Sequence, residues 1–288
     1  MTTVNCQNCK SETVIKYGKR KNNNHVKQKY LCKTCGKRFV ENDGFRYRNY
    51  SSDVITVALD LYVKGVSLRD VANHLNLAYG VRPSQSTVLE WVRQYGSLIE
   101  NYTKKLKPKL GSVWTSDEMQ VHMKDNRQLG AMYGNWLVNL MDKKTRFLIM
   151  SEPIASRDAG HMEAVFKDVG KKGKPKVIIT DGLKLYRKIF KEQFGKGVNH
   201  VVAKGPGKKE NQSSTIERMN GTIRQREKVT RNYWRVATAK QLMRTFEIYY
   251  NFVRGHMALN GKTPAEMAGL ELGLNGNKWK ELIRKSVS

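Results

Sequence analysis

The sequence predicts a mixed α/β chain: one larger domain of alternating strands and helices, preceded by a small cysteine-stapled domain and a small all-α domain. Three observations carry this. All four cysteines of the 288 residues fall within the first 35, as two Cys-x-x-Cys pairs. Between residue 51 and about residue 96, apolar residues recur at three- and four-residue steps in short runs, the period of helices. From Leu110 onward, strand-like runs alternate with such helical stripes. The expected divisions are 1–48, 49–107 and 108–270, with a basic tail at 271–288.

The first division rests on Cys6-Gln-Asn-Cys9 and Cys32-Lys-Thr-Cys35, separated by 22 residues. Each pair sets two thiolates on one tight knuckle, and two knuckles complete a tetrahedral shell for Zn2+. Gly36 supplies the backbone freedom that such a knuckle needs. His25 lies in the insert, but four thiolates already fill the shell. A disulfide pair or idle buried thiols are the competing readings, disfavoured in an intracellular chain with no cysteine left over. A closed, structural zinc ribbon is therefore expected, its basic insert from Lys16 to Lys29 lying on phosphates.

The second division shows three helical stripes. Val54, Ala58, Leu61 and Tyr62 form the first, which ends at Gly65. Ser67 and Asp70 make an S-x-x-D start for the second, carrying Val71, Ala72 and Leu75. Ser84 or Ser86 starts the third, with Val88, Trp91, Val92 and Tyr95. Short helices joined by a glycine turn, with a small residue where two would cross, resemble a helix-turn-helix, although the link from Asn76 to Pro83 is long for one. In that case Gln85, Thr87, Glu90 and Arg93 would face the major groove of double-stranded DNA. A plain helical connector is the alternative. Residues 105–109 are expected to be a linker.

In the third division SVWTSDEMQVHM alternates like a strand. YGNWLVNLMDKKTRFLIMSEP is two strands around the polar turn Asp142 to Thr145. Met162, Val165, Phe166 and Val169 share a helix face that Ser156 or Asp158 would cap. KPKVIITD is a short, continuously apolar strand of the kind buried on both faces. A helix with Leu185, Tyr186, Ile189, Phe190 and Phe194 comes next, then the strand NHVVA and the loop Lys204 to Lys209. TIERMNGTIRQREK is helical, its apolar stripe being Ile216, Met219 and Ile223. Glu217, Asn220, Gly221, Arg224 and Lys228 fall on the neighbouring face. A last long helix, started by Thr238-x-x-Gln241, carries Leu242, Phe246, Tyr249, Tyr250 and Val253. This order of elements is that of an RNase H-like domain.

Charge narrows the function. Lys and Arg total 53 against 25 Asp and Glu, a formal charge of +28, which calls for a polyanionic partner. No apolar run approaches the roughly 20 residues of a spanning helix. The mean hydropathy is −0.62, and MTTVNCQNCK has no secretory core. Nucleic acid and a cytoplasmic location are the expectation. In so basic a chain, acids inside apolar strands stand out. Asp117 lies mid-strand, Asp181 ends the buried strand, and Glu217 starts a helix able to pack across the same sheet edge, where α/β ligands gather. Three converging carboxylates repel one another unless a divalent cation lies between them. Two Mg2+ or Mn2+ ions ~4 Å apart would suit phosphodiester chemistry. Glu118 is a rival for the first acid, but strand alternation sends it to the face opposite Asp117.

VWTSDE, VIITDG and TIERMNGTIRQRE resemble the three acid-bearing motifs of DDE transposases from bacterial and archaeal insertion sequences, with 35 residues between Asp181 and Glu217. GVSLRDVANHL…VRPSQSTVLEWV and YYNFVRGHMALNGKTPAEMAG, with Tyr250, Asn251, Arg254 and His256, resemble flanking parts of the same proteins. The resemblance implies that Asp117, Asp181 and Glu217 are the catalytic metal ligands. It puts Asn220 and Arg224 at a scissile or flanking phosphate. The basic loop with Lys204, Lys208 and Lys209 would meet DNA beside the active site or stay solvated; Tyr233 and Trp234 are core aromatics or a platform for an unpaired base. His122 and His161 have no partner nameable from sequence. The resemblance thus implies a transposase of a prokaryotic host, nucleoid-associated and assembled as a dimer or larger, that binds terminal inverted repeats and cuts and joins DNA. The rival readings are a catalytically silent DNA-binding regulator on the same scaffold and a structure-selective nuclease.

Overall fold

Both sequence periods are realised in a computed structural model, which describes residues 4–21, 26–40, 42–45, 49–122, 135–167, 169–203, 214–230 and 236–287. His25, the loop with Lys204, Lys208 and Lys209, and Tyr233 and Trp234 lie outside the described residues. The elements are β1 (Val14–Lys21), β2 (Val26–Cys32), β3 (Arg38–Val40), α1 (Ser52–Val63), α2 (Leu68–Tyr79), α3 (Gln85–Thr103), β4 (Val113–Val121), β5 (Asn135–Asp142) and β6 (Leu148–Ile154). They continue as α4 (Ala159–Phe166), β7 (Val177–Thr180), α5 (Leu185–Phe194), β8 (Asn199–Val202), α6 (Ser214–Thr230), α7 (Val236–Ile248), α8 (Pro264–Met267) and α9 (Lys278–Lys285). Two units result, one of Met1–Asp60, Leu68–Trp91 and Leu274–Ser288, the other of Leu61–Ser67 and Val92–Gly273.

In the first unit β1, β2 and β3 form an antiparallel sheet in that order. Val54, Ile55, Ala58 and Leu59 of α1 are buried, as are Val71 and Leu75 of α2 and Val88 and Trp91 of α3. Ser84, not Ser86, caps α3, its Oγ accepting the Thr87 N–H at 3.1 Å. The segment expected as a basic tail contains α9. Trp279, Leu282 and Ile283, at i, i+3 and i+4, are buried there, and Asn277 caps the helix. Asn277 Nδ2 donates to Thr56 Oγ1 (2.8 Å) and Trp279 Nε1 to Asp60 Oδ1 (3.3 Å), which ties α9 to α1.

The second unit is built on a five-stranded sheet of order β6-β5-β4-β7-β8. The β6/β5 and β5/β4 pairs are antiparallel, and β4/β7 and β7/β8 are parallel. This is the RNase H-like arrangement expected from the element order, with α4 and α5 crossing between the parallel strands. Trp114, Val138, Leu140 and Ile178 pack against Met162 and Phe166 of α4 and Tyr186, Ile189 and Phe190 of α5. The other face takes α6, on β4 and β5, and α7, on β6. Asp158, not Ser156, caps α4, accepting the His161 N–H at 2.9 Å. Asp142 is a turn residue: its Oδ2 accepts from the N–H and hydroxyl of Thr145 at 3.0 and 2.5 Å. Among the described residues no helix is long and apolar enough to cross a membrane.

The last long helix differs from expectation at both ends. It begins at Val236 and finishes in a π turn, Tyr249–Val253. The wider turn serves the edge strand β6. Asn251 Oδ1 accepts the Leu148 N–H at 2.8 Å, its Nδ2 donates to the Leu148 carbonyl at 2.9 Å, and Glu247 Oε1 accepts the Ser151 N–H at 2.7 Å. Side chains thus occupy backbone groups that an edge strand otherwise offers to other chains. Asn251→Leu, similar in size, strands two of them and is expected to cost about 1–3 kcal/mol in urea unfolding. A loss below ~0.5 kcal/mol would show that this clamp does not hold the edge.

Candidate active site

The site is built where β7 runs out. β4 and β7 are parallel, in register as far as Thr115 beside Ile179. Two residues further on, that register brings Asp117 level with Asp181, the residue immediately after β7. Asp181 Oδ1 accepts the Leu183 N–H at 3.1 Å and so turns the chain toward α5. Asp117, Glu118 and Asp181 each offer a carboxylate oxygen within 4.8 Å of the others.

Glu118 is where the structure departs from the sequence reading. Alternation does hold along β4: Asp117 meets Asn220 of α6, and Glu118 meets Tyr186 of α5. But β4 spans nine residues and β7 four, so past Thr115 the β7 side of β4 has no ladder partner. The longer glutamate side chain reaches that open end from the other face. The mismatch between the long alternating strand and the short run VIIT was the signal available in the sequence.

Electrostatics marks the same spot. Burial, then the Asp181 charge and more weakly that of Glu217, raises Asp117 to about 6. Burial, then Asp181 and Asp117, raises Glu118 to about 7, against the opposing effects of the Tyr186 hydroxyl and Arg157. Glu118 Oε1 is buried with no hydrogen-bond partner. Clustered, mutually repelling oxygen donors with one buried acceptor unsatisfied fit a divalent cation. Arg157, not singled out from sequence, stacks 3.6 Å over the Trp136 ring and lies within electrostatic reach of Glu118.

Glu217 occupies the first turn of α6, exposed, close enough to act on Asp117 but outside the set of three within 4.8 Å. Arg224 and Lys228 are exposed on the same helix. Asn220 is not. It is 6% exposed; its Nδ2 donates to Asp117 Oδ2 at 2.7 Å and its Oδ1 accepts from Asn139 Nδ2 at 2.8 Å. Position 220 lies four residues after Ile216 and three before Ile223, so the buried stripe carries it inward, away from the phosphate expected of it. In the helical region Gln85 and Arg93 are exposed, and Thr87 is half-buried with its hydroxyl 2.8 Å from Ser84 Oγ. The two histidines find partners: the Glu227 carboxylate accepts the His122 backbone N–H, and His161 Nδ1 meets Asp158 at 2.7 Å.

The four cysteines come together. Cys6 and Cys35 Sγ are 3.6 Å apart and Cys9 and Cys32 Sγ 3.5 Å, with all four within 4.8 Å. Metal–sulfur bonds of about 2.3 Å around a tetrahedral centre put sulfurs about 3.8 Å apart, so the set fits a four-thiolate shell. Gly36 closes the second knuckle at φ 68°, its N–H on the Cys32 carbonyl, and Lys10 does the same for the first at φ 60°. The Cys35 backbone N–H brings the Cys32 thiol down to about 6.

A pH dependence is expected for metal-free protein. Asp117 and Glu118 titrate near 6 and 7 when folded, against 3.8 and 4.5 ordinarily. The folded state therefore keeps protons that the unfolded chain has lost. Their stabilising contribution is full below about pH 4 and lost as pH rises through about 6–7. In chelator, Glu118→Gln is expected to raise the unfolding midpoint at about pH 8, by ~2–4 °C per kcal/mol relieved, and to leave it unchanged near pH 4. A difference independent of pH would refute this origin.

A family model described as a DDE domain matches residues 111–256. The transposase for insertion sequence element IS257 in transposon Tn4003 of Staphylococcus aureus is 32% identical over 141 residues, covering 48% of this chain and 58% of that protein. The transposase for insertion sequence-like element IS431mec of Staphylococcus aureus strain Mu50 matches to the same extent. The chain thus spans somewhat over half the length of these relatives. Among solved structures, the HTLV-2 integrase catalytic core domain superposes over 57% of this chain and 97% of its own, with 16% identity and a TM-score of 0.39. The fold rests on the strand order above, not on that likeness. With its match covering residues 111–256, half the molecule, this chain belongs to the DDE domain family.

Proposed function

We propose that this protein is a transposase that binds the terminal inverted repeats of a mobile element and carries out strand cleavage and strand transfer. One observation carries the reading: carboxylates gathered at the open end of β4 and β7 in a chain of formal charge +28. Acids crowded together against their own repulsion serve a metal, and the surrounding cations serve a polyanion. The names of the relatives support the same activity. A silent regulator would have no use for the crowding.

In this reading Asp117, Asp181 and Glu217 hold Mg2+ or Mn2+, and Glu118 lends its unsatisfied oxygen. The ions, when bound, polarise the phosphodiester and stabilise charge on the leaving oxygen. Arg224 and Lys228, exposed beside Glu217, hold flanking phosphates, as do Lys204, Lys208 and Lys209. Water attacks phosphorus at the element end and the P–O3′ bond breaks, freeing a 3′-OH. That hydroxyl then attacks a phosphodiester of target DNA, whose own 3′ oxygen leaves, so no bond to protein forms. Cys6, Cys9, Cys32 and Cys35 close a structural Zn2+ site. The ribbon and the helices carrying Gln85, Thr87 and Arg93 read the repeats. Two ends imply a dimer or larger assembly, working in the prokaryotic cytoplasm at the nucleoid.

Cleavage of a labelled terminal-repeat duplex in Mg2+ or Mn2+, beside a gel shift on the same DNA, tests the chemistry. Asp117→Asn, Asp181→Asn and Glu217→Gln are expected to lose cleavage by orders of magnitude while binding persists, and double variants should cost little more, since the acids act as a unit. Wild-type cleavage by Glu217→Gln would remove it from the site. Elemental analysis is expected to find one zinc per chain, lost in Cys32→Ser; a zinc content near zero in the wild type would dismiss the ribbon.

A further inference from the structure

On the face of the sheet covered by α6, one register row is polar on all three of its strands. Asp117 of β4 pairs with Asn139 of β5, and Asn139 with Ser151 of β6. Asn139 and Ser151 are fully buried. Ser151 Oγ donates to Asn139 Oδ1 at 2.6 Å, Asn139 Nδ2 donates to Asn220 Oδ1 at 2.8 Å, and Asn220 Nδ2 donates to Asp117 Oδ2 at 2.7 Å. Every donor points the same way, toward the carboxylate. An ionised carboxylate only accepts, so Asn220 must turn its NH2 to Asp117 and its carbonyl to Asn139. Asn139 must then present its own NH2 and accept a hydrogen bond at its carbonyl, and among the described residues Ser151 supplies it. The far end of the row is fixed too, since the Ser151 N–H is held by Glu247.

We infer that Ser151, Asn139 and Asn220 form a one-way hydrogen-bond relay that positions Asp117, holding Oδ2 and leaving Oδ1 directed to the divalent cation. The three are positioning residues, the farthest two strands from the acid it serves. The inference rests on the reading of Asp117 as a metal ligand. A fixed ligand loses no freedom when the ion arrives. Groups that orient metal ligands in this way typically change affinity by about 10–100-fold when removed.

Ser151→Thr and Ser151→Val provide the test, because the two side chains share a shape and differ in one hydroxyl. Full-length protein is titrated with Mn2+ and free ion is followed by electron paramagnetic resonance, alongside thermal unfolding in chelator. Ser151→Thr is expected to bind Mn2+ close to the wild type, and Ser151→Val about tenfold more weakly; Asn139→Leu and Asn220→Leu should fall by tenfold or more. Cleavage by Ser151→Val should then recover at saturating Mn2+. Equal Mn2+ affinity in the Thr and Val variants, with only their unfolding midpoints differing, would overturn the relay and leave a structural hydrogen bond. Asp117→Asn in the same titration separates the two levels. If it loses Mn2+ while Ser151→Val, Asn139→Leu and Asn220→Leu keep it, the relay alone is wrong. If it keeps wild-type affinity, the metal-ligand reading fails first.

Discussion

Repulsion among carboxylates at one end of the five-stranded sheet is the constraint on which the second unit turns. Asp117, Glu118 and Asp181 approach within 4.8 Å, with Glu217 near enough to act on Asp117. Left to themselves, such groups spread apart or take up protons, and the rise of Asp117 to about 6 and Glu118 to about 7 registers that pressure. The fold holds them against it. A parallel strand pair aligns the two aspartates, a short β7 opens the end to Glu118, and α6 delivers Glu217 across the same edge. Each contribution costs stability locally, and each is the kind of arrangement that binding of a divalent cation offsets.

Around that cluster, Asn139, Ser151 and Asn220 are buried with partners. The row Asp117, Asn139 and Ser151 crosses three strands, and Asn220 completes it from α6. Buried polar atoms are tolerated only when satisfied, and here each contact is a hydrogen bond of 2.6 to 2.8 Å. The edge of the sheet obeys the same rule, with Asn251 and Glu247 taking the outward backbone groups of β6. Two side-chain oxygens near the site are exceptions: the buried Oε1 of Glu118, in the acid cluster, and the Oγ1 of Thr115, two residues before Asp117 on β4.

Much was legible in the sequence. Periods of 2 and 3.6 residues gave the elements and their order, and hence the sheet, because side-chain direction is set by local geometry alone. The two Cys-x-x-Cys pairs announced a four-thiolate shell, since ligand spacing within a knuckle is local. The rarity of acids in a chain of +28 drew attention to Asp117, Asp181 and Glu217. Local signals were weaker where choice depended on packing. Ser84 and Asp158 won as caps over Ser86 and Ser156, and the terminal basic segment yielded a helix whose Trp279, Leu282 and Ile283 are buried and whose Asn277 and Trp279 bond to α1.

What the sequence by itself determined, then, was the set of residues and their spacing; what tertiary structure decided was which of them meet. Alternation along β4 separates Asp117 from Glu118, and only the length mismatch between β4 and β7 brings their oxygens together again. Asn220 shares helical spacing with Glu217 and Arg224, yet the stripe of Ile216, Met219 and Ile223 turns it inward to Asp117. Neither outcome is written in a single segment, because each depends on the register of one strand or helix against another, and register is fixed by burial of whole faces.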